Sequence, residues 1–380
     1  MFCKRTTLLS IWFLNNLATL KIVGEVPSDL SRFASSAIYD LHWTLKLFRR
    51  KLLVLILRSR LGKKLEFIEP SQDKILWISV CAPSLGDVLM DVSARTLLQG
   101  RRVDLLTSPL ASELLSRDAF FDRVTSSLLE AKSWNEKKKY DLIILDSFSS
   151  RSVTAKCMVC PGVPIVSLFE YINGFEVHRI KYSFARMRYL LRLEASEIHL
   201  PQLVCKNDEA VTNAGVFDIA IAVGGNWAFR DYGSWFYVIE AILQKFPEMQ
   251  INLVGSENGK ETAEEIIKAF PTVHSSVGQK SIEDTAMLIK KSRIFLGADG
   301  GLWHVSWSVG VSSVCLFSRC DLFDGQGQRV TREVDEMRCT ALYGDEMVDD
   351  ISVESVVDAV LACYQQHKLA SQVDTSCVSA

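Results

Sequence analysis

The sequence predicts an α/β protein built from two doubly wound parallel sheets, and three observations carry that expectation. Short apolar runs recur from Lys74 onward, the runs are continuously apolar rather than alternating, and segments of helix length separate them. A strand that is apolar on both sides is covered on both faces, which is the condition of a parallel sheet with helices above and below it. The runs are "KILWISVC" (74–81), "RVDLLTS" (102–108), "YDLIILDS" (140–147), "VPIVSLF" (163–169), "FDIAIAVGG" (217–225), "MQINLVGS" (249–256), "RIFLGA" (293–298) and "SSVCLFS" (312–318). They suffice for two sheets. The polar stretch "PQLVCKNDEAVTNAGV" (201–216) breaks the rhythm and marks the linker. In open parallel sheets ligands bind beyond the carboxyl ends of the strands, so two facing halves place the site in an interdomain cleft.

The expected division is a basic helical extension over 1–69, a first α/β domain over 70–205, a second over 206–350, and a C-terminal helix and tail over 351–380. A chain of 380 residues with 48% hydrophobic and 23% charged residues has the composition of a globular protein with real cores, which argues against disorder. Net charge is only −2, yet residues 1–64 hold 12 Lys and Arg against three acids, leaving 31 basic and 42 acidic residues elsewhere. Any basic partner surface therefore belongs to the N-terminus.

Within that extension, "DLHWTLKLFRRKLLVLILRSRLGKKLEF" (40–67) repeats apolar residues at helical spacing among cations. Two readings fit: a helix lying on an anionic membrane surface, or a basic amphipathic helix packed on the first domain. No run of 18 uninterrupted apolar residues occurs, so a spanning helix is not expected. The start "CKRTTLLSIWFLNNLATL" mimics a signal peptide, but "NN" interrupts it and no clear cleavage site follows, which favours a cytoplasmic protein. The ten cysteines are scattered, several in apolar runs, as suits a reducing compartment. The close pair "CMVC" (157–160) lacks a second pair at zinc spacing, so neither metal nor redox chemistry is assigned to it.

After the first strand comes "VCAPSLGDVLMDVSARTLL" (80–98), where a dinucleotide fold would carry G-x-G-x-x-G and only Gly86 is present. Asp87, at the start of the following helix, either caps it or acts as a general base at the cleft mouth. After the strand "RIFLGA", Asp299, Gly300, Gly301 and Leu302 form a strand-to-helix turn, with His304 one turn inside the helix. The first N–H groups of a helix lack intrahelical partners and the macrodipole adds positive charge, so this turn suits a phosphate. His304 is either a ligand contact or a satisfied histidine of the cleft wall.

Four stretches in order resemble the ADP-heptose:lipopolysaccharide heptosyltransferase family, glycosyltransferase family 9: "SLGDVLMDVSA" (84–94), "IAVGGNWAFRDYGSW" (221–235), "LVGSENGKETAEEI" (253–266) and "LIKKSRIFLGADGGLWHVSWSVGVSSVCLFS" (288–318). The similarity spans about residues 74 to 365. It implies the GT-B architecture, two facing Rossmann-like domains, and an inverting transfer of a sugar, heptose from ADP-heptose in the first instance, to a lipopolysaccharide-core or related glycan. By the same resemblance Asp87 is the base that takes the acceptor's proton, Asp299 to Leu302 hold the donor diphosphate with His304 beside them, and Glu257 meets the ribose with Ser256 at its side.

The sequence also departs from the family pattern. The family's phosphate-binding lysine after the first strand of the second domain is missing, and Arg230 is the nearest cation, a bidentate phosphate ligand or simply a surface arginine. Gly300 stands where Thr or Ser is usual, and Trp303 where a smaller residue is. For the acceptor, "EVHRIKYSFARMRYLLR" (176–192) offers His178, Arg179 and Lys181, which otherwise form a solvated face. No carboxylate pair with DxD spacing precedes a strand end as metal-dependent sugar transferases require, so the expected site needs no metal and no cofactor beyond the nucleotide sugar. The expected partners are that donor, a glycolipid or glycan acceptor, and a membrane touched peripherally through residues 40–67. The rival functions are a transferase of the same fold with another nucleotide sugar or a protein acceptor, and a degenerate member that binds without catalysis. Nucleic acid is disfavoured, because the basic charge is confined to one segment and is not interleaved with stacking aromatics.

Overall fold

The computed structural model describes residues 41–82, 84–171, 179–203, 217–225, 227–318 and 338–378. Two helices, α1 (Leu41–Ile56) and α2 (Arg58–Leu61), precede the first sheet. The first α/β unit then runs β1 (Lys74–Ser79), α3 (Leu85–Asp91), β2 (Arg102–Thr107), α4 (Pro109–Leu115), β3 (Arg123–Thr125), α5 (Leu128–Lys138), β4 (Leu142–Leu145), α6 (Ser150–Val159), β5 (Ile165–Ser167) and α7 (Arg179–Leu191). The second runs β6 (Phe217–Ala222), α8 (Trp235–Lys245), β7 (Ile251–Val254), α9 (Lys260–Ala269), β8 (His274–Ser275), α10 (Ile282–Lys290), β9 (Ser292–Ala298), α11 (Gly301–Ser308), β10 (Ser312–Phe317), β11 (Cys339–Tyr343) and the final helix α12 (Val353–Val378).

Both sheets are parallel throughout. The first has strand order β3-β2-β1-β4-β5 and the second β11-β10-β9-β6-β7-β8. Each of the eight apolar runs expected to be a strand is one. The strands β3, β8 and β11 were not anticipated; they are short or only half-buried and lie toward the sheet edges.

Continuous burial in the inner strands follows from alternation of side chains between two covered faces. In β1, Leu76 and Ile78 join Ile143 and Leu145 of β4 in one core, while Ile75 and Trp77 join Leu142 and Ile144 in another. The first of these cores also takes in Val54 of α1 and Leu61 of α2, so the described part of the N-terminal extension packs on the first domain, against α6. The opposite side of α1 leaves Leu45 59%, Leu52 42% and Ile56 66% exposed. Residues 1–40 of the expected extension lie outside the described residues, as does most of the expected linker.

The other core is shared between the two sheets. It gathers Leu85, Val88 and Leu89 of α3, Leu114 and Leu115 of α4 and Met187 and Leu190 of α7, and from the second unit Ala286 and Ile289 of α10, Trp303, Val305 and Trp307 of α11, and Phe295 and Phe317 of the sheet. Polar contacts flank this junction: Arg117 pairs with Glu283 at 2.7 Å, and the Ile282 N–H donates to Glu113 at 3.1 Å. The far face of the second sheet is a separate core closed by α8 and α12. Serine N-caps, each accepting a first-turn N–H, start α3, α5, α6 and α10 at Ser84, Ser127, Ser149 and Ser281, which fixes where those strand-to-helix loops end.

Candidate active site

The helices α3 and α11 each follow an inner strand of their sheet, β1 and β9, and they touch across the domain junction. Gly86 is the contact point. A Cβ placed there would lie 2.2 Å from His304 Cδ2 and 2.7 Å from His304 Nε2, so only glycine lets the imidazole rest on the helix backbone. The start of one helix is thereby held against the body of the other.

On the first-domain side, Ser84 caps α3 by accepting the Asp87 N–H at 3.2 Å, and its hydroxyl donates to Asp87 Oδ2 at 2.7 Å. The opposite carboxylate oxygen, Oδ1, accepts from Arg179 Nη1 at 2.8 Å. Asp91 stands four residues after Asp87, hence on the same helix face. Its Oδ1 accepts from Arg179 Nε at 2.7 Å and its Oδ2 from Nη2, a bidentate pair. Arg179 is the first residue of α7, buried, with its guanidinium 5.4 Å from the centre of the Phe169 ring.

Three buried charges in contact perturb one another. Burial pushes the Asp91 carboxyl up to about 6, against the pull of Arg179. Burial also disfavours the Arg179 cation, but the carboxylates of Asp91 and Asp87 outweigh it and hold the guanidinium protonated above its usual range. Behind them, at the end of β4, burial raises Asp146, offset by hydrogen bonds that include the N–H groups of Cys81 at 2.7 Å and Ser147.

On the second-domain side, Gly300 is the N-cap of α11 with an extended backbone that any residue adopts. A Cβ on Gly300 would meet only the Ala298 carbonyl oxygen at 3.8 Å, and one on Gly301 only Leu85 at 3.9 Å. Neither conformation nor packing demands these glycines; what they provide is an unobstructed first turn. Asp299 precedes them, buried, with Oδ2 accepting from Arg230 Nη2 at 2.9 Å. His304 Nδ1 accepts the indole N–H of Trp307 at 3.2 Å. Since an indole nitrogen only donates, the neutral imidazole carries its hydrogen on Nε2, which is 4.0 Å from Asp299 Oδ1.

The loops after β6 and β7 flank this turn. Gly224, with φ 91°, lets the first pass backbone to backbone over the second: a Cβ there would come 2.8 Å from Gly259 Cα. Ser256 is exposed and its hydroxyl donates to Asn258 Oδ1 at 2.6 Å. Glu257 is also exposed, 3.5 Å from Lys260 Nζ, with its carboxylate over Gly278. Leu302 is half-buried against the shared core.

The sequence-derived residues thus fall into three groups. Asp87, Asp299, Gly300, Gly301, Leu302, His304 and Arg230 converge on the α3–α11 junction, while Ser256 and Glu257 lie at the neighbouring strand end. Of the expected acceptor contacts, His178 lies outside the described residues and Lys181 is half-buried on α7. Arg179 is no part of a solvated face: it is buried and holds Asp87 and Asp91. The sequence reading missed Asp91, although its spacing of four from Asp87 was visible, and missed Trp307 as the partner of His304. Among the described residues no three His, Cys, Asp or Glu side chains are grouped to hold a metal ion.

Residues 205–322 match the family model for glycosyltransferase family 9 (heptosyltransferase). No curated protein sequence matches the chain. Among solved structures, the glycosyltransferase family 9 protein of Veillonella parvula superposes with TM-score 0.63 at 13% identity, over 79% of this chain and 99% of its own. The E. coli ADP-heptose LPS heptosyltransferase II gives 0.58 at 20% identity, covering 78% and 99%, and E. coli heptosyltransferase WaaC with ADP gives 0.61 at 14%, covering 76% and 99%. At these identities the likeness establishes the fold, the GT-B arrangement of two parallel-sheet domains. Residues 205–322 are thus similar to glycosyltransferase family 9 (heptosyltransferase), the chain has the two-domain fold of these structures, and the two findings together support a glycosyltransferase.

Proposed function

We propose that the protein moves a sugar with inversion, heptose from ADP-heptose in the first instance, onto a lipopolysaccharide-core or related glycan. The observation that carries this reading is the α3–α11 contact, which brings a buried, oriented carboxylate, Asp87, beside a glycine-bare helix N-terminus. The two heptosyltransferases of known structure add support, one of them described with ADP.

In the proposed reaction the donor diphosphate lies against the first-turn N–H groups of α11, with Arg230 and Asp299 at its side. Charge grows on the leaving phosphate as the glycosidic bond breaks, and fixed N–H donors stabilise that charge more than they stabilise the ground state. Asp87 takes the acceptor hydroxyl proton as that oxygen attacks the anomeric carbon from the opposite face. One displacement inverts the centre. Glu257 and Ser256, exposed at the end of β7, meet the ribose, and Lys181 and His178 belong to the acceptor side. Backbone N–H groups and Arg230 serve as the diphosphate's counter-charge, so transfer should be unchanged by EDTA.

The exposed side of α1 combines Leu45, Leu52 and Ile56 with Arg49, and α2 adds exposed Arg58 and Arg60. That pairing of apolar and cationic groups suits an anionic membrane surface, where a glycolipid acceptor would lie at the cytoplasmic face. No helix of the described residues is long and apolar enough to cross a membrane. A Leu52→Glu, Ile56→Glu variant should lose sedimentation with anionic vesicles while keeping soluble-acceptor turnover.

The donor is tested by calorimetric binding of ADP-heptose, other ADP-sugars, UDP-sugars and GDP-sugars. Selective ADP-heptose binding supports the reading. Binding of a UDP- or GDP-sugar would replace the named donor, and binding of ADP-heptose without turnover on any glycan would favour a non-catalytic member.

A further inference from the structure

We infer that Arg179 and Asp91 are a positioning pair for the proposed base Asp87, with Asp91 restoring the basicity that the arginine removes; this rests on the reading of Asp87 as the base. Arg179 Nη1 holds Asp87 Oδ1 at 2.8 Å, while Nε and Nη2 of the same guanidinium are clamped by Asp91. The clamp orients the fork, and the fork orients Asp87. With Oδ1 so held, Oδ2 is the oxygen that takes the acceptor proton; it accepts from the hydroxyl of exposed Ser84, which an acceptor hydroxyl can displace.

An arginine against a carboxylate lowers its pKa by about 1–3 units, which fixes geometry at the expense of proton affinity. Sharing that guanidinium with a second, bidentate carboxylate returns negative charge to the site without loosening it. Several groups of the described residues face Asp87. Asp91 shares its helix and Ser84 its cap, Arg179 comes from α7, and His304 from α11 lies on Gly86 between. Cys81 and Asp146, at the ends of β1 and β4, act on the pair from behind. Arg179 brings a full positive charge into contact with Asp87, and Asp91 is the carboxylate that shares it.

The test is the pH dependence of kcat in Asp91→Asn, with Arg179→Lys as the second variant and Asp87→Asn as control. Fold is checked in each by thermal melting and by donor binding. Asp91→Asn should shift the acidic limb of the kcat profile downward by about one unit and lower the plateau about tenfold, with donor KM unchanged. Arg179→Lys keeps the charge and loses the fork, so its plateau should fall while the limb stays nearer the wild-type position. If both variants fold and bind donor, yet keep the wild-type plateau and limb while Asp87→Asn is inactive, the positioning inference is wrong and the base assignment stands. If Asp87→Asn itself turns over normally, the base assignment fails and the inference fails with it. Should Asp91→Asn not fold, Arg179→Lys alone decides, because a wild-type plateau there contradicts the oriented fork.

Discussion

The two domain ends that meet at the junction are built in opposite ways. At the end of β1 the polar groups are saturated: Asp87 is held by Ser84 and Arg179, and Arg179 by Asp91, all at hydrogen-bond distance. At the end of β9 the fold stops short, with two glycines that neither backbone conformation nor packing requires. A proton acceptor gains from being fixed, because misorientation costs rate, whereas an anion site gains from bare N–H groups that nothing else fills. The contrast agrees with the proposed roles, in which the first domain orients and the second leaves room.

The largest way to break this contrast is to strip the saturated end. Arg179→Gln leaves Asp91 and Asp87 buried without their cation and should lower unfolding stability by about 3–5 kcal/mol in chemical denaturation. Gly86→Ala strikes the contact between the ends. The new methyl would overlap the His304 ring, so a loss of about 1–3 kcal/mol is expected together with a fall in turnover; an unperturbed melting midpoint would mean the junction opens freely. Gly300→Ala falls at the open end. Its melting should stay at the wild-type value, and because Thr or Ser is usual at this position in the resembling family, its affinity for ADP-sugar should stay within about threefold, whereas Gly301→Ala, which puts the methyl on the first residue of α11, should lower that affinity about tenfold.

The smallest effect concerns a lone buried cation far from either end. Lys156 of α6 is fully buried and donates to the Arg60 carbonyl at 3.1 Å, and burial lowers its pKa from 10.5 to about 8. The unfolded chain therefore holds more protons than the folded one between pH 8 and 10.5, so this residue makes stability rise with pH across that window. Lys156→Met should flatten that rise in melting scans. If the slope persists unchanged in the variant, another group carries it.

The inner strands were legible in the sequence because burial on both faces leaves an unbroken apolar run, as in "KILWIS" and "RIFLGA". The edge strands β3, β8 and β11 were not, since a half-exposed strand of two to five residues has neither the run nor the alternation that marks one. Within the site, Asp87 and the Asp299–Gly301 turn could be read locally, as a helix start after a strand. Arg179 could not, because its partner Asp87 is 92 positions away and only the docking of α7 on α3 turns a surface-looking arginine into a buried clamp. The same holds for Gly86, whose reason is a histidine on the other domain, and for Arg230, which finds Asp299 only once β6 and β9 lie side by side.

In the proposed reaction Asp87 accepts a proton during sugar transfer at this junction. This step is tested most directly by following ADP release from ADP-heptose in the presence of a lipopolysaccharide-core acceptor, with wild type and Asp87→Asn side by side. Acceptor-dependent release by the wild type and a loss of about 10²–10⁴ in kcat for the variant, with donor affinity retained, are expected if Asp87 is the base. Equal release by both proteins would contradict it.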